Sequence, residues 1–180
     1  MAFELKKIAL IGPESTGKSE LCKALSAHYK TVWVEEYARH YISNLKKRYT
    51  LDDVILCAKM QLEQERVLSK KAERFLFCDT EFVNMKVWCS DVFNVLPSEV
   101  ESMISNNRYD LHLLTYPDLP FVQDDVRENP HRREFFFEWY KRELENLQFP
   151  FEIIRGNGTL RLKNAIHAIE KHFAVNPLYI

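Results

Sequence analysis

The sequence predicts a three-layer α/β fold, in which helices cover both faces of a parallel β-sheet. Short, continuous apolar runs recur along the chain and alternate with longer amphipathic stretches. Continuous apolar runs are typical of strands buried on both faces, and strands that alternate with helices pair in parallel through right-handed crossovers. We therefore expect five strands, at 8–11, 32–34, 75–78, 111–115 and 151–154.

The stretches between these runs have the apolar periodicity of helices. Leu21, Leu25 and Tyr29 recur at every fourth position, so one face of the first helix is apolar. Thr50 followed by Asp53 is a capping-box arrangement, which predicts a helix that begins at this point. Similar apolar stripes occupy 51–62, 136–147 and 162–173.

The composition predicts one cytoplasmic domain that spans residues 1–180. Lysine and arginine total 25 and aspartate and glutamate 26, which argues against a general nucleic-acid or membrane-surface binder. The apolar run of four residues near the N-terminus is too short for a signal peptide or a membrane span. The four cysteines lie far apart without metal-ligand spacing, so we expect reduced core residues. The partner expected is a small-molecule substrate, and the sequence does not indicate an oligomeric state.

A phosphate-binding loop follows the first predicted strand directly. Residues 12–19 match G-x-x-x-x-G-K-[ST] at every fixed position, between a strand and a helix. The glycines let backbone N–H groups form a nest for phosphate oxygens, Lys18 can reach the β- and γ-phosphates, and the Ser19 hydroxyl is a natural Mg²⁺ ligand. The alternative is a simple glycine turn. The predicted ATP-binding residues here are Gly12, Glu14, Ser15, Thr16, Gly17, Lys18 and Ser19.

The second strand ends in acidic and basic residues that we expect to face the phosphate site. Ligands of such sheets bind beyond the carboxyl ends of the strands, where Glu36 and Arg39 lie. Glu36 is a candidate for the general base or for binding a substrate hydroxyl, and Arg39 is a candidate for substrate binding. The alternative is a solvated helix start, which favours acidic residues. Glu35 is assigned a structural role.

The third strand ends at Asp79 and Glu81. An aspartate that closes an apolar strand occupies the Walker-B position, where it holds Mg²⁺ or its water shell. Asp79 is therefore a candidate metal ligand and, with Glu36, one of two candidates for the base. The alternative is a helix N-cap. Glu81 is a candidate for substrate binding.

The stretch 117–133, after the fourth strand, has the composition of a mobile lid. Two prolines and three acidic residues precede a group of arginines. Such a lid brings arginines to the γ-phosphate as charge develops, and Arg127 and Arg132 are favoured over Arg133 as catalytic groups. The alternative is a surface loop with weak salt bridges.

Two further residues are weaker candidates. Asn157 lies in a glycine-containing loop after the fifth strand, and backbone groups of this loop can cradle adenine. The alternative is a tight turn before the last helix. Trp88 can stack on a flat substrate ring, although aromatic residues at such positions are more often part of the core.

These motifs together resemble a known family. The segments GPESTGKS, VEEYARHY, FCDTE and YDLHLLTYPDLPFVQDDVRE, followed by an arginine pair, are similar to the ribosylnicotinamide kinase domain of bacterial NMN adenylyltransferase/ribosylnicotinamide kinases. The resemblance extends from Lys6 to Phe173. The phosphate loop alone is generic, whereas the succession of all the segments is considerably more specific.

The resemblance implies a P-loop NTPase fold of the nucleoside/nucleotide-kinase type with strand order 2-3-1-4-5. It also implies that ATP phosphorylates the 5′-hydroxyl of nicotinamide riboside to give NMN and ADP, with Mg²⁺ as cofactor. Glu36, Arg39, Asp79 and the lid arginines then fall at substrate, metal and transition-state positions. The sequence lacks an adenylyltransferase domain and a DNA-binding segment, so we expect NMN as the end product and no role on DNA.

Two alternatives stay open at this stage. The first is another small kinase, acting on a deoxynucleoside or on a nucleoside monophosphate. The second is a binding or signalling module that hydrolyses ATP slowly and uses water as the acceptor.

Overall fold

The chain folds around a parallel five-stranded sheet. The computed structural model describes residues 4–123 and 129–174. The strands are β1 (Lys6–Ile11), β2 (Trp33–Val34), β3 (Phe75–Asp79), β4 (Leu111–Thr115) and β5 (Phe151–Ile154). The helices are α1 (Lys18–His28), α2 (Tyr37–Ser43), α3 (Leu51–Ser69), α4 (Phe82–Phe93), α5 (Ser98–Asn106), α6 (Arg133–Asn146) and α7 (Gly158–Phe173).

The sheet has the strand order β2-β3-β1-β4-β5, and every pair of neighbours is parallel. The predicted α/β fold and strand order are therefore confirmed. In this order β1 is central, and the loop that follows it emerges between the ends of β3 and β4. The carboxyl ends of all five strands lie at one edge of the sheet, which is the edge that carries ligand sites in folds of this type.

Two hydrophobic layers separate the sheet from its helices. Ile8 and Leu10 of β1 pack into a cluster with α1 and α7, whereas Ala9 and Ile11 pack into the larger cluster with α3, α4 and α6. This alternation follows from the strand period of two residues. Because both faces are covered, β1, β3 and β4 tolerate an almost continuous apolar sequence, as expected for a central parallel strand.

Some local predictions from the sequence are confirmed, and others are incomplete. The capping box is confirmed: Thr50 accepts a hydrogen bond from the Asp53 N–H, and Asp53 accepts one from the Thr50 N–H. All four cysteines are buried and free, as expected. The sequence analysis missed α4 and α5. The first is so apolar that it lacks a clear polar face, and the second is only 9 residues long.

Membrane insertion has no support among the helices of the described ranges, since none is long and apolar enough to cross a bilayer.

His112 of β4 is expected to make the fold sensitive to acid. Its ring is fully buried against Phe149, and in the described part of the chain no group forms a hydrogen bond with its Nε2. Burial lowers the pKa of His112 from 6.5 to about 4, although the Pro150 carbonyl opposes this shift. The neutral ring therefore stabilises the folded state above pH 6.5, and this contribution is lost as the pH falls to about 4.

His112→Gln removes the titrating group, so its free energy of unfolding should fall less steeply with acidification than that of the wild type. Between pH 7 and pH 4 we expect a difference on the order of 2 to 3 kcal/mol. Urea denaturation over this pH range measures it. His167→Gln, at an exposed histidine of α7, is the control and should retain the wild-type slope. Parallel pH profiles for His112→Gln and the wild type would contradict the assignment.

Candidate functional site

The phosphate-binding loop is fixed by a close approach to β4. Gly12 has a φ of 144°, and a Cβ atom there would lie 2.5 Å from the Thr115 Oγ1 and 2.8 Å from its carbonyl oxygen. Thr115 in turn donates to the Ile11 carbonyl and shares a hydrogen bond of 2.7 Å with Thr16. Only glycine fits at position 12, because both its backbone conformation and its space exclude a side chain.

The two predicted loop hydroxyls that follow have different surroundings. Thr16 is fully buried, and its hydroxyl contacts Pro13 and Thr115, so this side chain stabilises the loop from inside. Ser15 has a φ of 56°, and its hydroxyl accepts a hydrogen bond of 2.8 Å from the Val122 N–H. Gly17 takes the left-handed conformation at the N-cap of α1. The N-terminus of α1 therefore points its positive dipole end at the loop.

Lys18 lies folded over the loop. Its Nζ donates hydrogen bonds of 2.9 Å to the Gly12 carbonyl and 2.8 Å to the Pro13 carbonyl. Burial lowers the pKa of Lys18, while the charges of Glu36 and Asp79 oppose this effect. The ammonium group is thus held at the loop by carbonyl oxygens, and the charges of the carboxylates that follow β2 and close β3 favour its protonated form.

Glu36 and Arg39 lie together beside the loop, as the sequence analysis expects. Glu36 is the N-cap residue of α2, and its carboxylate pairs with Arg39 at 3.4 Å on the next turn. Gln61 of α3 supports this corner, since it accepts from the Tyr37 N–H and donates to the Asp79 carbonyl. Glu35 points elsewhere and pairs with the exposed His40.

Asp79 carries a buried carboxylate at the end of β3. The residue is 1% exposed, and no well-formed hydrogen bond reaches either carboxylate oxygen from the described residues. Burial and the nearby charge of Glu36 raise its pKa to about 6, while Lys18 and a side-chain interaction with the Ser19 hydroxyl oppose the shift. A buried carboxylate without well-formed hydrogen bonds is costly, and a bound cation is one way in which proteins satisfy it.

Glu81 has a structural position that the prediction did not foresee. Both of its carboxylate oxygens accept hydrogen bonds from the first N–H groups of α4, those of Val83 and Asn84. Burial raises the pKa of Glu81 to about 8, although these hydrogen bonds oppose the shift. The N-cap that the sequence analysis considered for Asp79 is therefore made by Glu81. Its carboxylate faces the helix end, and it does not line the cleft described next.

A cleft of about 500 Å³ opens beside the phosphate loop. It brings together seven predicted site residues from four segments of the chain, namely Gly12, Glu14, Lys18, Glu36, Arg39, Trp88 and Arg132. Trp88 is partly buried and meets the Tyr49 ring edge to face at 5.1 Å. The cleft therefore has a charged end at the loop and an aromatic wall further out.

The predicted lid is partly anchored. Arg132 forms a bidentate ion pair with Asp91 of α4, with nitrogen–oxygen distances of 2.6 and 3.1 Å. Arg133, which the sequence analysis ranked lower, donates to the carbonyl groups of Ser15, Pro117 and Leu119. Arg127 lies outside the described residues.

Asn157 is exposed at the N-cap of α7. Its side chain forms no capping hydrogen bond, and its carbonyl accepts from the Leu160 and Arg161 N–H groups. The loop is thus a turn that begins the last helix, which was one of the two predicted alternatives, and its relation to adenine stays a prediction.

Sequence reasoning missed several residues that line the cleft. Asn84 and Asp91 lie on α4 with Trp88, at spacings of four and three residues, so the three occupy one face of the helix. The signal was present in the spacing, but α4 itself was not predicted. Thr80, with a φ of 76°, also lines the cleft, and its buried hydroxyl has no partner among the described residues. Strained backbone of this kind is frequent at functional sites.

Substitution of Gly12 tests the close approach to β4. Gly12→Ala should lower the free energy of unfolding by about 2 to 4 kcal/mol, because the added methyl group overlaps fixed backbone atoms. It should also weaken ATP binding. Gly158→Ala is the control, since a Cβ there meets nothing within 4 Å, and its φ of 47° costs about 1 kcal/mol. Urea denaturation and calorimetric titration with ATP measure both effects. Equal losses in the two variants would contradict this account of the loop.

Known proteins share the loop and the fold. Residues 7–161 match the model of the AAA domain family. The trifunctional NAD biosynthesis/regulator protein NadR of Escherichia coli (strain K12) is 29% identical over 142 residues, which are 74% of this chain and 34% of that protein. The chain therefore spans about a third of the length of this curated relative.

Solved structures of other proteins have a similar fold. NadR in complex with NR superimposes with a TM-score of 0.74 and 20% identity over 95% of this chain and 51% of that chain. Deoxyadenosine kinase from M. mycoides with bound dCTP follows at a TM-score of 0.62 and 14% identity, over 92% and 99%. The relative and the first structure confirm the family resemblance that the motifs predict. With most of its length matched and a phosphate loop at the centre of its site, the chain belongs to the AAA domain family of P-loop proteins.

Proposed function

We propose that this chain phosphorylates the 5′-hydroxyl of nicotinamide riboside with ATP, giving NMN and ADP. The observation that carries the proposal is the cleft, in which the phosphate loop, a carboxylate–arginine pair and an aromatic wall share one space. A kinase needs groups for the phosphates and for the acceptor side by side, because phosphoryl transfer depends mainly on positioning and on stabilising charge. The aromatic wall gives an acceptor that carries a ring a surface on which to stack. The likeness to NadR in complex with NR, an abbreviation of nicotinamide riboside, supports the choice of substrate.

The phosphate loop supplies the ATP site in this proposal. Its backbone N–H groups and the N-terminus of α1 attract the phosphate oxygens. Lys18 exchanges its hydrogen bonds with the Gly12 and Pro13 carbonyls for contacts with the β- and γ-phosphates. The charges of Glu36 and Asp79 raise the pKa of Lys18 against the effect of burial, which favours the cation at the loop.

The residues around Asp79 fit a magnesium ion. Asp79 offers a buried carboxylate without a well-formed hydrogen bond from the described residues, and Ser19 follows the lysine of the loop. Within those residues no cluster of three metal-ligating side chains occurs. Mg²⁺ takes one or two protein ligands, which Asp79 and Ser19 can supply, and completes its shell with water and substrate phosphates. Bound there, the ion would offset charge on the phosphate oxygens.

Two observations favour Glu36 over Asp79 as the general base. Glu36 lines the cleft, whereas Asp79 is buried beneath it and suits the metal. The ion pair with Arg39 holds the Glu36 carboxylate at the mouth of the phosphate loop. A base at this point accepts the proton of the 5′-hydroxyl while the oxygen attacks phosphorus, which adds about 10²–10⁴-fold to the rate.

The outer cleft suits a flat ring attached to a sugar. Trp88 and Tyr49 supply aromatic surface, and nicotinamide riboside carries a positively charged pyridinium ring that such a surface attracts. The buried Thr80 Oγ1 and Asn84 Oδ1 have no hydrogen-bond partner among the described residues, and both residues line the same cleft. Hydroxyl groups of a ribose would satisfy these atoms.

A second kinase reaction has a specific observation in its favour. The likeness to deoxyadenosine kinase covers nearly all of both chains, although its identity of 14% carries only the fold. A deoxynucleoside would use the same phosphate loop and base, and would differ only in the outer cleft. An ATP-hydrolysing switch is less favoured, because the cleft continues well beyond the phosphate loop and offers room for an acceptor.

The proposal is tested by ADP release from Mg·ATP with each candidate acceptor, followed by mass spectrometry of the product. The acceptors are nicotinamide riboside, the common nucleosides and deoxynucleosides, nucleoside monophosphates, and water alone. Riboside-dependent ADP release with NMN as the product is expected. Faster reaction with a deoxynucleoside or monophosphate would transfer the assignment to that acceptor, and release without any acceptor would favour the switch.

Glu36 and its neighbour Glu35 form a matched pair for the role of the base. Glu36→Gln keeps the size of the side chain and removes the proton acceptor, so kcat should fall by about 10²–10³-fold while the KM for ATP changes little. Glu35→Gln should retain wild-type kcat, because Glu35 pairs with the exposed His40 away from the cleft. Steady-state kinetics measure both. An unchanged kcat in Glu36→Gln would exclude it as the base.

A further inference from the structure

A buried arginine, Arg161, contacts the phosphate loop and does not line the cleft. Arg161 belongs to the first turns of α7 and is only 3% exposed. Burial lowers its pKa, and the charge of Asp118 opposes this effect. A buried guanidinium is costly unless its donors are satisfied, so its partners indicate what it does.

The guanidinium of Arg161 connects the three loops that follow β1, β4 and β5. It donates to the carbonyl oxygens of Thr16 (3.1 Å), Tyr116 (3.1 Å), Ile154 (3.5 Å) and Gly156 (2.7 Å), and to the carboxylate of Asp118. Thr16 belongs to the phosphate loop itself. Each of the three guanidinium nitrogens therefore binds at least one loop, and the planar geometry of the group fixes the spacing between the loops.

Asp118 closes this network. Its second oxygen accepts a hydrogen bond of 2.7 Å from the Gly156 N–H, so the carboxylate joins the β5 loop both directly and through Arg161. Asp118 lies in the predicted lid, and the sequence analysis did not name it as a site residue.

The same segment is held from its other side by the phosphate loop and α6. Arg133 donates to the carbonyl groups of Ser15, Pro117 and Leu119, and the Ser15 hydroxyl accepts from Val122. Residues 116–122 thus lie between two arginines that both also bind a carbonyl of the phosphate loop. Arg161 and Arg133 therefore link this segment to the phosphate loop, because each of them binds a carbonyl group of both.

We propose that Arg161 and Asp118 are positioning residues for the nucleotide, which hold the phosphate loop and the loop at 155–158 at a fixed separation. Neither side chain needs to touch ATP. The first loop receives the phosphates, and the second follows β5, two strands away from β1, where the sequence predicts that backbone groups cradle adenine. The separation of the two loops therefore sets whether the phosphates and the adenine of ATP fit together. The inference rests on nucleotide binding by the phosphate loop, which is part of the proposed function.

Conservative substitutions separate this role from a general contribution to stability. Arg161→Lys keeps the charge and burial but replaces a planar fork by one donor point, which cannot reach three loops. Asp118→Asn keeps the size and removes the charge. Arg66→Lys is the matched control, because Arg66 is an exposed arginine of α3 that pairs with Glu63 at 3.8 Å. For each protein we would measure Kd for Mg·ATP by calorimetry, KM for ATP and for the acceptor, and Tm.

We expect Arg161→Lys to raise the Kd and KM for ATP at least about tenfold, equivalent to about 1.4 kcal/mol, while the KM for the acceptor stays within about twofold. Asp118→Asn should show a smaller increase in the same direction, and Arg66→Lys none. If Arg161→Lys does not fold, Asp118→Asn decides, since it leaves the guanidinium and its carbonyl partners in place.

A lower Tm with unchanged affinity for ATP in the folded variants would overturn the inference, because both residues would then be structural only. Equal increases in the KM for ATP and for the acceptor would overturn it too. Failure of the wild type to bind ATP is a separate result, which would overturn the proposed function first and the inference with it.

Discussion

The contact between Gly12 and Thr115 is the constraint on which the rest of the site depends. It sets the end of β1 directly against the end of β4, where no side chain fits between them. The Thr16 hydroxyl, bonded to Thr115, then turns the loop back over the sheet, and Gly17 starts α1. From this point the direction of α1, the place of Lys18 and the opening of the cleft all follow. Contacts with the strand ends therefore fix the conformation of the loop.

Charge is concentrated around this constraint at a cost to stability. Lys18, Glu36, Asp79 and Arg39 influence one another across the strand ends, and burial opposes the charged forms of Lys18 and Asp79. A buried carboxylate without well-formed hydrogen bonds, near a lysine that donates to carbonyl groups, is an expensive arrangement for a structural core. Such arrangements persist where a site must bind anions and cations together. The buried Arg161 behind the loop has the opposite character, because backbone oxygens surround it and its role is to hold loops together.

The sheet and the charged end of the cleft could be predicted from the sequence, because their signals are local. An apolar run identifies each of the central strands, and Gly12 and Lys18 stand at fixed spacings within the loop motif. The outer cleft could not be predicted in the same way. Asn84 and Asp91 belong to a helix that is apolar on most sides, so its periodicity is weak. Arg161 looks like any surface arginine in the sequence, since nearly all its partners are backbone carbonyls, which every residue carries. The carboxylate of Glu81 caps α4, a local interaction that gives the same sequence pattern as a ligand-binding acid.

The most direct test of the account is a crystal structure with a non-hydrolysable ATP analogue and nicotinamide riboside bound together. We expect the triphosphate on the loop of residues 12–19, with the riboside in the cleft between Glu36 and Trp88. Its 5′-oxygen should lie about 3 to 3.5 Å from the γ-phosphorus, the distance of a near-attack arrangement, and within hydrogen-bond reach of Glu36. A riboside bound outside this cleft, or with its 5′-hydroxyl directed away from the γ-phosphate and Glu36, would contradict the central claim.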